Sequence, residues 1–236
     1  MDFEQRGEGP AVVLVHGIQG TRSTWSGVAD ILAPTCRVLL PNLRGRGSAA
    51  RGQGGAAYRL ADYADDLRAV IERHVGDAPF VLGGWSLGVS VALHYLGLPG
   101  VARPGGVLLV SGSPCLARTQ WFTRDDNALM ASVAERRQRL GLREHADDEA
   151  VVATWQAIRD SDQRALLPGI NLPVRVVHGR DDDDCPLEHG ALLAQGLRAP
   201  LLALDGVGHS VPALAPEAVA QQLQLLLRDL PSTVHP

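Results

Sequence analysis

The chain has 236 residues, 45% of them hydrophobic, which suits one α/β domain with a sizeable core. A formal net charge of −4 and a sequence pI near 6.0 give no electrostatic reason to expect nucleic acid or a membrane surface as partner. All 22 basic residues are arginine, which excludes Schiff-base and P-loop lysine chemistry. Three scattered cysteines, Cys36, Cys115 and Cys185, make no Cys-X-X-Cys pair and no even-numbered framework, so free thiols in a reducing compartment are expected. Residues 1–6 show no apolar signal-peptide segment, and no apolar run approaches the ~18 residues of a membrane span. A cytoplasmic enzyme or binding protein is the expectation.

In chain order, residues 2–6 read as a short edge strand and 7–10 as a turn. Residues 11–15 are a continuous, β-branched apolar run, as in a parallel strand buried on both faces. His16-Gly17-Ile18-Gln19-Gly20 closes that strand, and a helix over about 25–32 follows with Ser23 or Thr24 as N-cap. A second strand, 37–40, ends in Pro41 and the loop Asn42-Leu43-Arg44-Gly45-Arg46-Gly47-Ser48, and 48–57 reads as loop. Residues 60–75 place Leu60, Tyr63, Ala64, Leu67, Val70 and Ile71 at helical spacing.

An apolar run over 79–82 then reaches Gly84-Trp85-Ser86-Leu87-Gly88, a helix runs to about 98, and a strand spans 106–110. From Ser111 the alternation breaks, and 125–140 and 147–160 read as two amphipathic helices with no strand between them. Strand 173–177, helix 188–196, strand 201–204 and helix 216–230 complete the chain. Repeated strand–helix units predict an α/β fold with a mostly parallel, doubly wound sheet. The interruption, 113–166, is expected to form a small helical cap over the carboxyl edge of that sheet, leaving 1–112 and 167–236 as the core.

Strand, sharp turn and helix, in that order around Gly-X-Ser-X-Gly, is what a nucleophile elbow needs: the serine sits at a strained apex and the glycines let backbone pass close. The same stretch also suits a serine that only caps the helix. A nucleophilic Ser86 requires a base and an orienting acid on loops after later strands. Strand 173–177 runs into His178-Gly179-Arg180-Asp181-Asp182-Asp183-Asp184-Cys185-Pro186, and strand 201–204 into Asp205-Gly206-Val207-Gly208-His209-Ser210. The four aspartates suit one buried acceptor with the rest in solvent, or a wholly solvated turn. A Ca²⁺ or Mg²⁺ site would need spaced carboxylates and carbonyls, a pattern this run does not show. Of the eight histidines, His209 has the required placement. His74, His94, His145 and His189 fall in helical stretches, His235 in the tail, His178 ahead of the aspartates, and His16 where an imidazole can tie loops together.

Together these residues resemble the α/β-hydrolase superfamily over nearly the whole chain. The likeness rests on His16-Gly17 with Trp25, the Asn42–Ser48 loop, the Gly84–Gly88 elbow, Gly179-Arg180-Asp181-Asp182 with Pro186, and Gly208-His209. The resemblance implies Ser86 as nucleophile and His209 as general base, with no metal or organic cofactor. Family spacing from Gly179 and back from Pro186 both point to Asp182 as the acid, with Asp181 second. It also implies an oxyanion hole from the backbone N–H groups of Ile18 and Leu87. Two positions depart from the family pattern: Asn42 stands where that loop usually begins with Asp, which implies weaker anchoring, and Val89 stands where a second small residue often follows Gly88.

Within the superfamily, Gly-Trp-Ser-Leu-Gly with Val110-Ser111-Gly112-Ser113-Pro114-Cys115 and Trp121 is similar to the pimeloyl-ACP methyl ester carboxylesterases, with a shorter cap here. That likeness implies a small acyl ester substrate and an acyl carrier protein as partner, gripped by Arg136, Arg137, Arg139 and Arg143. The same arginines also read as a solvated helix face. Trp85, Trp121 and Met130 are the substrate-binding candidates, beside Leu87, Phe122, Leu129 and Trp155, and each suits core packing equally. Ester hydrolysis through an acyl-enzyme is the expected reaction. A thioesterase, a C–C bond hydrolase and a cofactor-free haloperoxidase share the triad, and a slow-turnover ligand receptor is the reading from another class.

Overall fold

The computed structural model describes residues 2–52, 57–142 and 144–230. Seven strands make one sheet: β1 (Phe3–Arg6), β2 (Ala11–Val15), β3 (Arg37–Pro41), β4 (Phe80–Trp85), β5 (Gly106–Val110), β6 (Val174–Gly179) and β7 (Leu201–Leu204). Their spatial order is β1-β3-β2-β4-β5-β6-β7, with only β1 antiparallel to its neighbour. The mostly parallel, doubly wound sheet matches the reading from alternation. β2, β4 and β5 are buried at every position, which is why their sequences are continuous apolar runs instead of alternating ones.

Alternation within β2 splits the core in two. Val12 and Leu14 join Val38, Leu40, Trp25 and Leu32 under α1 (Ser26–Leu32) and α8 (Pro216–Arg228). Val13 and Val15 face the other way, with Leu39, Leu82 and Leu109 under α2 (Leu60–His74) and α3 (Leu87–Gly97), and this second core continues to α6 (Leu187–Leu197). Helices on both faces leave the strand ends as the open edge. Because β2, β4, β6 and β7 run the same way, the loops that follow them meet at that edge.

Between β5 and β6 lie two longer helices, α4 (Leu129–Arg139) and α5 (Asp148–Ile158). The two ends of this insertion are stitched by an antiparallel bridge between Cys115 and Asp162, with Leu116 N donating to Ser161 O at 2.8 Å and Gln163 N to Pro114 O at 2.7 Å. Its interior is aromatic: Trp155 lies 5.8 Å from Trp121 and 5.7 Å from Phe122, ring centre to ring centre. No helix among the described residues is long and apolar enough to cross a membrane.

Several local expectations need correction. Neither Ser23 nor Thr24 caps the first helix; a 3₁₀ turn, Arg22–Trp25, precedes α1, and Thr21 caps that turn by accepting from Ser23 N at 3.4 Å. His145 lies in the α4–α5 loop and not in a helix. A short helix, α7 (Val211–Leu214), precedes α8 because Pro216 breaks the run before starting the next. Residues 53–56 of the expected 48–57 loop lie outside the described residues.

The Asn42 loop is firmly anchored despite its missing carboxylate. Asn42 Oδ1 accepts from Arg22 N at 2.7 Å and Nδ2 donates to Asp2 Oδ2 at 2.8 Å. Asp2, just ahead of β1, supplies the negative charge and also accepts from Ser48 N at 2.6 Å and from the Arg22 guanidinium. Asn42→Ala should therefore cost ~1–3 kcal/mol of stability by removing two part-buried hydrogen bonds. Urea unfolding would measure it, and a midpoint equal to wild type would refute the anchoring role.

Candidate active site

Ser86 sits between β4 and α3 with φ 56° and ψ −117°, a conformation that L-residues adopt only when the surroundings enforce it. The enforcement comes from backbone contact. A Cβ on Gly84 would lie 2.4 Å from Gly88 O, and one on Gly88 would lie 2.2 Å from Val15 O. Strand β4, helix α3 and strand β2 thus cross at distances only glycine permits. Val89 keeps its bulk because Gly112 gives way: a Cβ there would come within 2.4 Å of the Val89 side chain. The small residue usual after the elbow has its counterpart across the contact.

From the serine a hydrogen-bonded chain runs through two other loops. Ser86 Oγ is 2.9 Å from His209 Nε2, and His209 Nδ1 is 2.9 and 3.0 Å from the two Asp182 oxygens. Asp182 Oδ1 also accepts from the backbone amides of Asp184 (3.1 Å) and Cys185 (2.8 Å). His178 closes the far side, its Nε2 lying 2.6 Å from Cys185 O and 3.4 Å from Asp182 Oδ2. Burial opposes ionisation of Asp182, but hydrogen bonds from His178, His209 and the Cys185 amide outweigh it and hold the carboxyl well below its usual range. With Asp182 ionised, His209 carries its proton on Nδ1, and Nε2 is free to accept the serine proton. Trp85 ties base to elbow: its Nε1 donates to His209 O at 2.8 Å, and the two rings lie 5.3 Å apart.

The loop after β2 approaches from above the serine. A Cβ on Gly17 would fall 2.7 Å from the Trp85 ring and 3.1 Å from Ser86 Cβ, so glycine sets how closely the loop can approach. His16 is buried and ties loops as expected, with Nδ1 donating to Gly17 O at 2.8 Å and Nε2 accepting from Leu43 N at 3.1 Å. Burial, aided by the Arg46 charge and only partly offset by the Gly17 hydrogen bond, pushes His16 down to about 3, so it stays neutral in this role. Arg46 is wholly buried and grips Ile18 O (2.6 Å from Nη2), Tyr63 Oη (2.6 Å) and Thr154 Oγ1 of α5 (3.3 Å). Among the described residues the N–H groups of Ile18 and Leu87 donate to no protein acceptor. Leu87 is the first residue of α3, where the amide has no intrahelical partner.

The sequence from 12 to 222 matches a family model described as the alpha/beta hydrolase family. The chain belongs to that family. A pimeloyl-[acyl-carrier protein] methyl ester esterase of Nitrosomonas europaea is 27% identical over 88% of this chain and 92% of its own length. A protein of the same name from Methylococcus capsulatus is 30% identical over 82% of this chain and 84% of its own. An esterase structure from Exiguobacterium antarcticum superposes with a TM-score of 0.82 at 21% identity, covering 96% of this chain and 94% of that one. The expectation of an α/β hydrolase of the carboxylesterase type agrees with these likenesses.

In this hydrolase the four aspartates divide their labour. Asp182 meets His209, Asp184 is buried against arginines, and Asp181 and Asp183 are exposed. Asp181, second choice for the acid, lines a cavity of about 720 Å³ beside His209, with Trp85, Arg139, Leu142, Ser210 and Leu214. No three His, Cys, Asp or Glu side chains among the described residues cluster to hold a metal.

The expected acyl-pocket residues scatter. Trp85 and Trp121 are each 3% exposed, but Met130 is 45% exposed, and neither Trp121 nor Met130 lines that cavity. Met130 points outward because α4 buries Leu129, Val133 and Arg136, one stripe at i, i+4 and i+7. That stripe also overturns the solvated-face and carrier-gripping readings for Arg136, which is 5% exposed. Arg137 pairs with Asp148 at 3.2 Å, Arg139 with Asp184 at 2.5 Å, and Arg143 lies outside the described residues. Sequence reasoning did not find Gln19, Arg46 or the Arg136–Asp184 pair as parts of the site, although Arg136 falls on the apolar phase of its helix.

The depressed Asp182 carboxyl makes stability depend on pH. Its folded-state value lies below the model-compound 3.8, so its contribution is fully present above that value and is lost as pH falls through the folded one. Urea midpoints measured downward from about pH 5 should fall, and Asp182→Asn should flatten the decline below about pH 4. Identical slopes in the two proteins would contradict the attribution.

Proposed function

We propose that this ester hydrolase of the α/β-hydrolase family cleaves carboxylic esters by way of an acyl-enzyme on Ser86. The observation that carries the proposal is the unbroken chain from Ser86 Oγ through His209 to Asp182, with both links at 2.9 Å. His209 takes the serine proton as Oγ attacks the ester carbonyl. Asp182 keeps the imidazole in the right tautomer and stabilises the imidazolium that forms. The tetrahedral oxyanion is held by the amides of Ile18 and Leu87, each such donor being typically worth ~2.7–4 kcal/mol in the transition state. His209 returns its proton to the departing alcohol, then activates a water that releases the acid and restores Ser86.

Residues 113–166 act in this reading as a cap, since Arg139, Leu140 and Leu142 of the insertion line the cavity that His209 borders. The finer proposal is a methyl ester of an acyl chain carried on an acyl carrier protein. Its support is the likeness to the two relatives named pimeloyl-[acyl-carrier protein] methyl ester esterase, at 27% and 30% identity over most of both chains. Carrier contact would have to come from residues other than Arg136, whose guanidinium is committed inside the fold.

Ser86→Ala should lower p-nitrophenyl ester hydrolysis by at least ~10³-fold while leaving the circular dichroism spectrum unchanged. A labelled fluorophosphonate should attach at Ser86, and modification elsewhere with turnover retained in the variant would sink the assignment. For the substrate, kcat/KM should be compared for methyl esters of increasing chain length, free and carrier-bound. Equal values for the free and bound forms would refute the carrier as partner.

A further inference from the structure

Helix α4 sends one charged side chain inward, to the seam between the loop that holds Asp182 and the loop that presents Ile18. Arg136 Nε donates to Asp184 Oδ1 at 3.2 Å and Nη2 to Asp184 Oδ2 at 3.1 Å, a parallel fork. Its Nη1 donates to Gln19 Oε1 at 2.7 Å. The Phe122 ring lies 5.3 Å from the guanidinium carbon, and the group has no room to swing away.

Both partners stand next to groups assigned to the reaction. The Asp184 amide is itself one of the donors that hold Asp182 Oδ1. Gln19 directly follows Ile18, and the insertion grips it twice more: Gln19 Nε2 donates to Val133 O at 2.8 Å, and Gln19 O accepts from Ala146 N at 2.9 Å. We infer that Arg136 is a positioning residue for ester cleavage, setting from the cap the two loops that hold the Asp182 carboxylate and the Ile18 amide. The inference rests on the triad reading above. A lysine would replace it only in part, because an ammonium lacks the planar fork that meets both Asp184 oxygens. Arg139 also pairs with Asp184 while about half exposed, so removing Arg136 does not leave Asp184 without a cation. What is lost is the tie between helix and loops.

The test compares Arg136→Met, Arg136→Lys and Gln19→Met with wild type on a p-nitrophenyl ester. Rates are taken per Ser86 titrated with fluorophosphonate, well below each protein's Tm. Misplacing the acid loop and the oxyanion donor together should lower kcat of Arg136→Met ~10–100-fold, with KM within about threefold. Arg136→Lys should recover part of the loss, and Gln19→Met should lose several-fold in kcat at unchanged KM. The fluorophosphonate rate should fall in step with kcat. If Arg136→Met and Gln19→Met lower Tm but keep wild-type kcat per titrated serine, Arg136 merely fastens the cap and the inference is wrong. Should Arg136→Met not fold, Gln19→Met, which unpairs no charge, decides alone on the same criterion. Failure of wild type to label at Ser86 would instead overturn the triad reading, before any variant is compared.

Discussion

The rest of the molecule is organised around the crossing of β4, α3 and β2 at Gly84, Gly88 and Val15. Side chains are excluded there by backbone contact, so the turn between strand and helix has one available path, and it leaves Ser86 with a positive φ. Such a residue persists only if its surroundings over-determine it. Here they do: β4 is paired on both sides, Val15 opposite Gly84 and Val110 opposite Trp85, and both its faces are buried. Trp85 then carries the constraint onward, since its indole fixes the His209 backbone and its ring limits how close the Gly17 loop can come. One crossing thereby sets serine, base and loop in register.

Around that crossing the loops are fixed by buried polar groups. Arg46 and Arg136 both hold the Ile18-Gln19 segment, one bonded to Ile18 O and the other to Gln19 Oε1. Buried ionic groups contribute little net stability compared with well-packed apolar residues, because desolvation offsets the attraction. Their value here is geometric. A hydrophobic contact can slide by an ångström at small cost, whereas a guanidinium with several directed bonds cannot without leaving donors unmade. At the site the chain places directed contacts where backbone amides must be aimed.

This division explains what could be read from the residues alone. The central strands were legible because burial on both faces demands continuous β-branched runs, and α2 because its apolar stripe keeps strict helical spacing. Ser86, His209 and the aspartate run 181–184 were legible as neighbours because each follows a strand of a parallel sheet, where strand direction brings loops together; the choice of Asp182 among the four needed the family resemblance. The contacts that did not show are those made by side chains away from the strand ends. Arg136 meets Asp184 48 positions away and Gln19 117 away, and nothing local to α4 announces either partner. Met130 illustrates a smaller ambiguity. It is next to Leu129, and the start of the helix decides which of the two faces inward. The Asn42 loop shows a third kind: the missing carboxylate is supplied by Asp2, which stands across from Asn42 at the same end of the antiparallel β1–β3 pair.

Ser86 is shut from solvent while one edge of His209 faces the cavity it shares with Ser210, Leu142 and Leu214. For the proposed chemistry this asymmetry gives the base an opening that the nucleophile lacks. An alcohol leaving by way of that cavity vacates the space through which hydrolytic water comes to the base. Acyl transfer to water would then follow alcohol departure by necessity of volume, and a bulky alcohol slow to diffuse from this cavity would delay deacylation as well as its own release.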